Sequence, residues 1–534
     1  MSDTILAGIA LVLASAVFVR CTVLSHDRIR SIRWRIRLRM HPGPGFASAG
    51  ELWFRWSRHA AMNHGRRARP GLKFRHRLRA RTTDYAVRLG RGQWFRRLYA
   101  RMEDQVLIMA AQRTGKSGIV ADRILDHPGP VLATSTRADL YESTAGARAL
   151  RGPVHVFNPQ GVGGVPSTLK WDLLGPCKDL VMARRMASWL KVPGTAGDLQ
   201  WFEIKGSVAL AGCLWAAAVT GRTILDVYEW VQLHDHQTCL EILATHPGSS
   251  RQLFATCKRM FEENRTSGSI RDTIDLTLSW AILPGLAEAV TSAPGEGFRS
   301  ADLTDCDGTL YLIASGDDDS PLTPVFRAIA SWCHYEAGLA GSLGRHRRLD
   351  PPLLMALDEV TTVCPVDLPV MLSDSAGKGV LITAVCHSAS QLEQRWGKDG
   401  AATVWATCGT KILLGAISDP DTLEHASKLC GTAHHGDGKE PVVPPELLRM
   451  LPDWRALVIR MNLSPVVVKV RPAWRRLAYR LGRHPLPVPH LLRFPSLLPL
   501  ELQYPEPEPM AAVPSMNGHG GKPGPLAKVG GDER

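Results

Sequence analysis

Residues 105–125 read QVLIMAAQRTGKSGIVADRIL. Val106 to Met109 form a short apolar run, which predicts a buried strand. Ala110 to Ser117 end in Gly-Lys-Ser, and Ile119 to Leu125 carry a helical pattern. Strand, tight loop and helix in that order are the setting a P-loop requires. Successive backbone N–H groups over Ala111, Gln112, Arg113, Thr114, Gly115, Lys116 and Ser117 then face one concavity and hold a β-phosphate. Gly115 lets the main chain pass close to phosphate. Lys116 brings charge to the β and γ oxygens, and the Ser117 hydroxyl is placed to hold Mg²⁺. Ala110 stands where the pattern has its first glycine, so the loop cannot use a glycine-only conformation there.

Further on, LLMALDE at 353–359 is an apolar strand that ends in two carboxylates. Ligands bind at the carboxyl ends of strands in an open α/β sheet. There Asp358 anchors Mg²⁺ through water and Glu359 polarises an attacking water, the Walker B roles. The next strand, Val380 to Cys386, ends at His387, which would sit beside Asp358 and sense a γ-phosphate.

At 45% hydrophobic and 21% charged residues, the 534-residue chain has a globular composition and room for two or three domains. The eleven cysteines are scattered and form no CxxC, which suits a reducing compartment and argues against a zinc site. Cys213, Cys333, Cys386 and Cys408 lie in apolar runs and are expected in the core. Charge is unevenly placed. Residues 28–101 hold 21 Lys/Arg against Glu51 and Asp84, a net +19, which leaves −5 for the rest from a chain total of +14.

Ile5 to Val19 are fifteen consecutive uncharged residues, and Val23 and Leu24 follow the break at Arg20. With Arg20 snorkelling, the run extends towards the roughly 20 residues a membrane helix needs. The positive charge follows the run rather than preceding it. That disfavours a signal peptide and predicts an anchor with the bulk of the chain cytoplasmic. Arginines alternate at Arg33–Arg39 and cations again at Lys73–Arg81, a period of two that predicts extended segments with a cationic edge. Such an edge suits anionic lipid first and nucleic acid second.

Strands alternate with helices on both sides of a helical block, which predicts an α/β fold with a parallel sheet. From Leu180 to Val290 only helical spacing is seen, and Trp189, Trp215, Trp230 and Trp280 in this block are expected in its core. Asp317–Asp319 are expected in a solvated loop, and Ala456–Met461 with Val466–Val470 in a closing hairpin. The expected organisation is an anchor at 1–27, a basic juxtamembrane region at 28–101, and a nucleotide-binding domain in two parts, 102–179 and 301–482. An all-α insertion occupies 180–300, and a Pro-rich tail expected to be disordered occupies 483–534.

The motifs and their order resemble the TraG/TraD-type coupling proteins of conjugative type IV secretion. The resemblance rests on HPGPGF at 41–46, AAQRTGKS at 110–117 and STRADLYESTAGARALRGPVHVFNPQG at 135–161. In the latter half it rests on DPPLLMALDEVTTVCPVDLPVMLSDSAGKG at 350–379, HSASQLEQRWG at 387–397 and KILLGAISDPDTLEHASKLCG at 411–431. The last part is similar to the segment named in that family for recognising the relaxosome accessory protein TraM. The resemblance implies a RecA-like P-loop ATPase with an inserted all-α domain, one N-terminal transmembrane helix and a homo-hexameric assembly. It implies ATP and Mg²⁺ as cofactors, and DNA with bound relaxase, channel components and the cell membrane as partners. Lys116 and Ser117 would bind phosphate and metal, Asp358 would order the metal and Glu359 would be the base. Relatives commonly have glutamine where His387 stands. Many also have an arginine finger for which Lys378 is the nearest cation here, a point charge without the bidentate fork. The alternative is a docking receptor that binds nucleotide without hydrolysing it and recruits a basic protein substrate. The Asp358-Glu359 pair argues against it. Weaker still is a segregation-type double-stranded DNA translocase.

Overall fold

The computed structural model describes residues 43–476 except 94–95, 192–198, 233–235, 263–264, 293–295, 317–319 and 436–437. The expected anchor, the first arginine run, the 317–319 loop and the Pro-rich tail therefore lie outside the described residues. Among those described, no helix is long and apolar enough to cross a membrane.

The strands are β1 (Ala86–Arg91), β2 (Arg97–Arg101), β3 (Val106–Met109), β4 (Val131–Ser135), β5 (Val154–Phe157), β6 (Thr309–Ile313), β7 (Leu353–Leu357), β8 (Val380–Cys386), β9 (Thr410–Leu414), β10 (Thr432–His435), β11 (Gly438–Pro441), β12 (Arg455–Arg460) and β13 (Val466–Lys469). Eleven of them form one sheet in the order β2-β1-β13-β12-β9-β3-β8-β7-β4-β6-β5. From β9 to β5 every pairing is parallel. The other end is antiparallel and includes the expected β12–β13 hairpin.

The central strands are apolar at every position because both of their faces are covered. Leu107 and Met109 of β3 face one core with Leu353, Met355 and Leu357 of β7. Val106 and Ile108 face the other with Leu354 and Ala356. The helix Lys116–Asp126 covers the second face with Val120, Ala121, Ile124 and Leu125. On the first face lie Thr323–Leu343 and Leu368–Lys378, with Val325, Ile329, Leu368 and Leu372 in the core.

Between β5 and β6 the chain runs through the helices Leu180–Leu190, Leu199–Thr220, Ile224–Gln232, Gln237–Thr245, Arg251–Phe261, Arg265–Leu278 and Pro284–Ala289. Every alanine, leucine, cysteine and tryptophan from Ala209 to Ala218 is buried, so Leu199–Thr220 is the axis about which the others pack. Trp215, Trp230 and Trp280 are core residues, and Trp189 is partly buried against them. Cys213, Cys333, Cys386 and Cys408 are buried free thiols.

One expectation is corrected. The run Lys73–Arg81 is not extended: Phe74–Arg79 is a helix. Its alternation misleads because arginine has a long apolar stem and serves on either side of a helix. Arg77 turns inward, buried, and donates to the Leu72 carbonyl at 2.7 Å. Sequence reasoning also missed β1 and β2, which extend the sheet from within the basic region. The alternation Ala86-Val87-Arg88-Leu89 was their signal, interrupted by a bulge between Arg88 and Gly90.

Candidate nucleotide site at the carboxyl edge of the sheet

β3 lies between β8 and β9, and Met109 is in register with Cys386 on one side and Leu413 on the other. The loop after β3 and the residue after β8 therefore emerge together. Ala110 continues the ladder: its N–H donates to the Cys386 carbonyl at 3.3 Å, and it is fully buried. That is why alanine is accepted there. The left-handed conformations fall instead on Arg113, φ 61°, and Gly115, φ 91°. The Thr114 hydroxyl donates to the Ala111 carbonyl at 2.7 Å and closes the loop. Gln112 and Arg113 are exposed, and Ser117 is half-buried in the first turn of the helix.

Lys116 reaches the end of β7. Its ammonium forms an ion pair with the Glu359 carboxylate. His387 completes a triangle, with Nε2 3.2 Å from Lys116 Nζ and 3.1 Å from Glu359 Oε1. The other ring nitrogen of His387 lies 3.0 Å from the Ala110 carbonyl, and its backbone N–H donates to Gln391 Oε1 at 2.9 Å. Glu359 has a φ of 51°, a sparsely populated conformation for a non-glycine residue, held where β7 turns. Burial works to raise the Glu359 pKa, but hydrogen bonds from His387 and Lys116 prevail and lower it. The same hydrogen bond raises His387 above its ordinary value.

Asp358 behaves oppositely. It is 3% exposed, and burial, with Glu359 and Asp139 adding, pushes its pKa up to about 6 against the pull of Lys116. Its Oδ1 is buried without a hydrogen-bond partner. Its main chain is held by the Thr134 hydroxyl, which donates to the Asp358 carbonyl at 2.9 Å. A buried carboxylate oxygen with no donor is costly unless a cation takes it. Asp358 with the Ser117 hydroxyl thus offers the hard oxygen ligands Mg²⁺ prefers.

Of the residues singled out from sequence, the structure brings Lys116, Glu359 and His387 into contact, with Asp358 alongside. His387 touches Glu359 and Lys116 rather than Asp358. Lys378 stands apart, at the amino end of β8, and pairs with Asp374. Thr134 and Gln391 were missed. Gln391 lies within the HSASQ run, four residues after His387, at the start of the helix Ala389–Thr407. A cavity of about 590 Å³ lies elsewhere, between β1 and the helix Lys116–Asp126, and none of Lys116, Glu359 and His387 lines it.

A family profile described as "TraM recognition site of TraD and TraG" matches residues 352–440, the stretch that holds Asp358, Glu359 and His387. Over 155 residues the chain is 28% identical to the conjugal transfer protein TraG of Agrobacterium fabrum, covering 28% of this chain and 22% of that one. Over 412 residues it is 23% identical to protein VirD4 of Rhizobium rhizogenes, covering 67% and 57%. The chain thus spans less than two thirds of each of these relatives. The fold is similar to that of the plasmid coupling protein TrwB in complex with a non-hydrolysable GTP analogue, with a TM-score of 0.56 at 19% identity, covering 70% of this chain and 88% of that one. TrwB in complex with ADP and Mg²⁺ gives 0.55 at 19%, covering 70% and 86%. In sequence the chain is thus similar, over part of its length, to the conjugal transfer proteins TraG and VirD4, and in fold it is similar to the coupling protein TrwB.

Proposed function

We propose that the chain is a membrane-anchored coupling ATPase that brings DNA with bound relaxase to a type IV secretion channel and drives its transfer by ATP hydrolysis. The observation that carries this is the Lys116–Glu359–His387 cluster beside a buried carboxylate with an unpartnered oxygen. A site that only bound nucleotide would have no use for Glu359. TrwB, which has a similar fold, is seen in complex with nucleotide analogues and with ADP and Mg²⁺, and this supports a nucleotide at such a fold.

The residues divide the work as follows. Backbone N–H groups from Ala111 to Ser117 hold the phosphates. Lys116 leaves Glu359 for the β and γ oxygens. Glu359, freed, accepts a proton from a water whose oxygen attacks the γ-phosphorus. The bond to the bridging oxygen breaks, and ADP and phosphate result. His387 donates to a γ oxygen. Ser117 and Asp358 would hold Mg²⁺, which when bound offsets phosphate charge. In the homo-hexamer we propose, Lys378 would have to leave Asp374 to reach a neighbour's nucleotide. Threading DNA would use phosphate contacts without base readout.

The test is ATP hydrolysis by the full-length chain in vesicles, with and without single-stranded DNA, beside Lys116→Ala. Hydrolysis that DNA stimulates and Lys116→Ala abolishes supports the motor. Nucleotide binding without turnover in either condition sinks it in favour of a docking receptor.

A further inference from the structure

The phosphate loop has two flanks. On the β8 side stand His387 and Glu359. On the β9 side stands an aromatic pair that the hydrolytic chemistry does not use. β12 runs antiparallel to β9 with Ala456 opposite Leu414, so Trp454 arrives at the carboxyl end of β9, next to the loop that follows β3. The chain returns through β13 and brings Trp474 to the same place. Trp454 and Trp474 meet edge to face, with centroids 5.7 Å apart and planes at 82°. Both rings rest on the loop and its helix through glycines. A Cβ on Gly115 would lie 2.5 Å from two ring carbons of Trp454, and one on Gly118 2.5 Å from the ring of Trp474. Trp454 itself holds a left-handed φ of 60°, and the Arg475 guanidinium lies 5.4 Å from the Trp454 centroid. Trp474 keeps 41% of its surface exposed.

A nucleotide whose phosphates lie against the N–H groups at the start of this helix must leave its sugar and base just beyond the first turn. One flank there is charged and committed to the phosphates. The other presents an exposed indole whose plane is fixed by a second indole. An aromatic face of that kind binds any base by stacking.

We propose that Trp474, braced by Trp454, is the stacking platform for the base of the nucleotide held in the 110–117 loop; this rests on the nucleotide reading of that loop. Selection by stacking is tolerant of base identity, so ATP and GTP are bound alike. Gly115 and Gly118 then serve twice: they admit phosphate and they seat the rings.

The experiment compares the affinities of MgATP and inorganic tripolyphosphate for the full chain, for Trp474→Ala and for Trp474→Phe. Tripolyphosphate has the phosphates and no base. The expected result is that Trp474→Ala weakens ATP about tenfold, that Trp474→Phe restores most of the loss, and that tripolyphosphate is bound equally by all three. Equal losses for both ligands, or no loss for either, would overturn the platform and leave the pair as packing between the hairpin and the helix. A wild-type chain that binds neither ligand would overturn the nucleotide reading of the loop itself, and the platform with it.

Discussion

Lys116 and Glu359, 243 positions apart in the sequence, form an ion pair at the centre of the site. The residue we propose as the phosphate ligand and the residue we propose as the base neutralise each other, and both are largely shielded, at 12% and 14% exposure. On that proposal, phosphate entering the loop would compete with Glu359 for Lys116, and binding would release the base at the moment a substrate is present. Glu359→Gln removes the competitor and the base together. The expected outcome is turnover lowered by about 100-fold or more, with nucleotide affinity equal to or above wild type. Lys116→Ala should lose affinity instead. Steady-state rates beside binding isotherms decide it, and a Glu359→Gln chain that hydrolyses at the wild-type rate sinks the assignment.

Asp358 predicts a trade between function and stability. Its folded pKa, about 6, lies above the ordinary carboxylate value, so ionising it disfavours the folded chain, and that cost is present at neutral pH and absent in strong acid. Asp358→Asn removes the charge and keeps the shape. We expect a melting temperature raised by a few degrees at pH 7. We also expect nucleotide affinity that no longer rises when Mg²⁺ is added. A variant that is more stable and still fully Mg²⁺-dependent would remove Asp358 from the metal site.

Much of this was legible in the sequence because the decisive elements are local. A strand, a loop rich in backbone donors and a helix are contiguous at 105–125, and strand plus carboxylates are contiguous at 353–359. The contacts that were missed depend on register between distant strands. His387 meets Lys116 only because Cys386 is paired with Met109. Trp454 and Trp474 reach the loop only because the last hairpin folds against β9. The helix at Phe74–Arg79 was hidden for another reason: a run of arginines carries little contrast between its faces, whereas Phe74 and Leu78, four apart, held the helical period.

A buried ion pair lies at the antiparallel end of the sheet. Arg460 Nε of β12 lies 2.6 Å from Asp104 Oδ2, with side chains 3% and 2% exposed, and the Thr410 hydroxyl of β9 donates to the same oxygen at 3.1 Å. Removing one partner strands a charge in the interior. Asp104→Ala is expected to lower stability by about 3–5 kcal/mol, and Asp104→Ala with Arg460→Met to recover much of that loss. Denaturant midpoints of the single and double variants check this. A single variant as stable as wild type would show that water reaches the pair.

Acid stability should report a second buried group. His334, on the helix Thr323–Leu343, has Nε2 2.7 Å from the Ser375 hydroxyl. Burial, reinforced by Lys378 and opposed by Asp374, lowers its pKa to about 4. His127, buried beside the Pro352 carbonyl, is depressed in the same sense, chiefly by burial. Between pH 6.5 and 4 the unfolded chain takes a proton on His334 and the folded chain does not. Acidification through that window therefore favours unfolding, while above pH 6.5 both states are neutral and nothing further is gained. A shift of this size corresponds to about 3 kcal/mol lost across the window. Asp358 titrates with the opposite sign over an overlapping range, so the wild-type curve alone cannot isolate the histidine. The difference between wild type and His334→Gln can, because Gln keeps a partner for Ser375 and carries no titrating proton. The expected difference in stability is constant above pH 6.5 and narrows, or reverses in favour of the variant, as the pH falls to 5. Parallel curves for the two chains would mean that His334 is protonated in the folded state as readily as in the unfolded one.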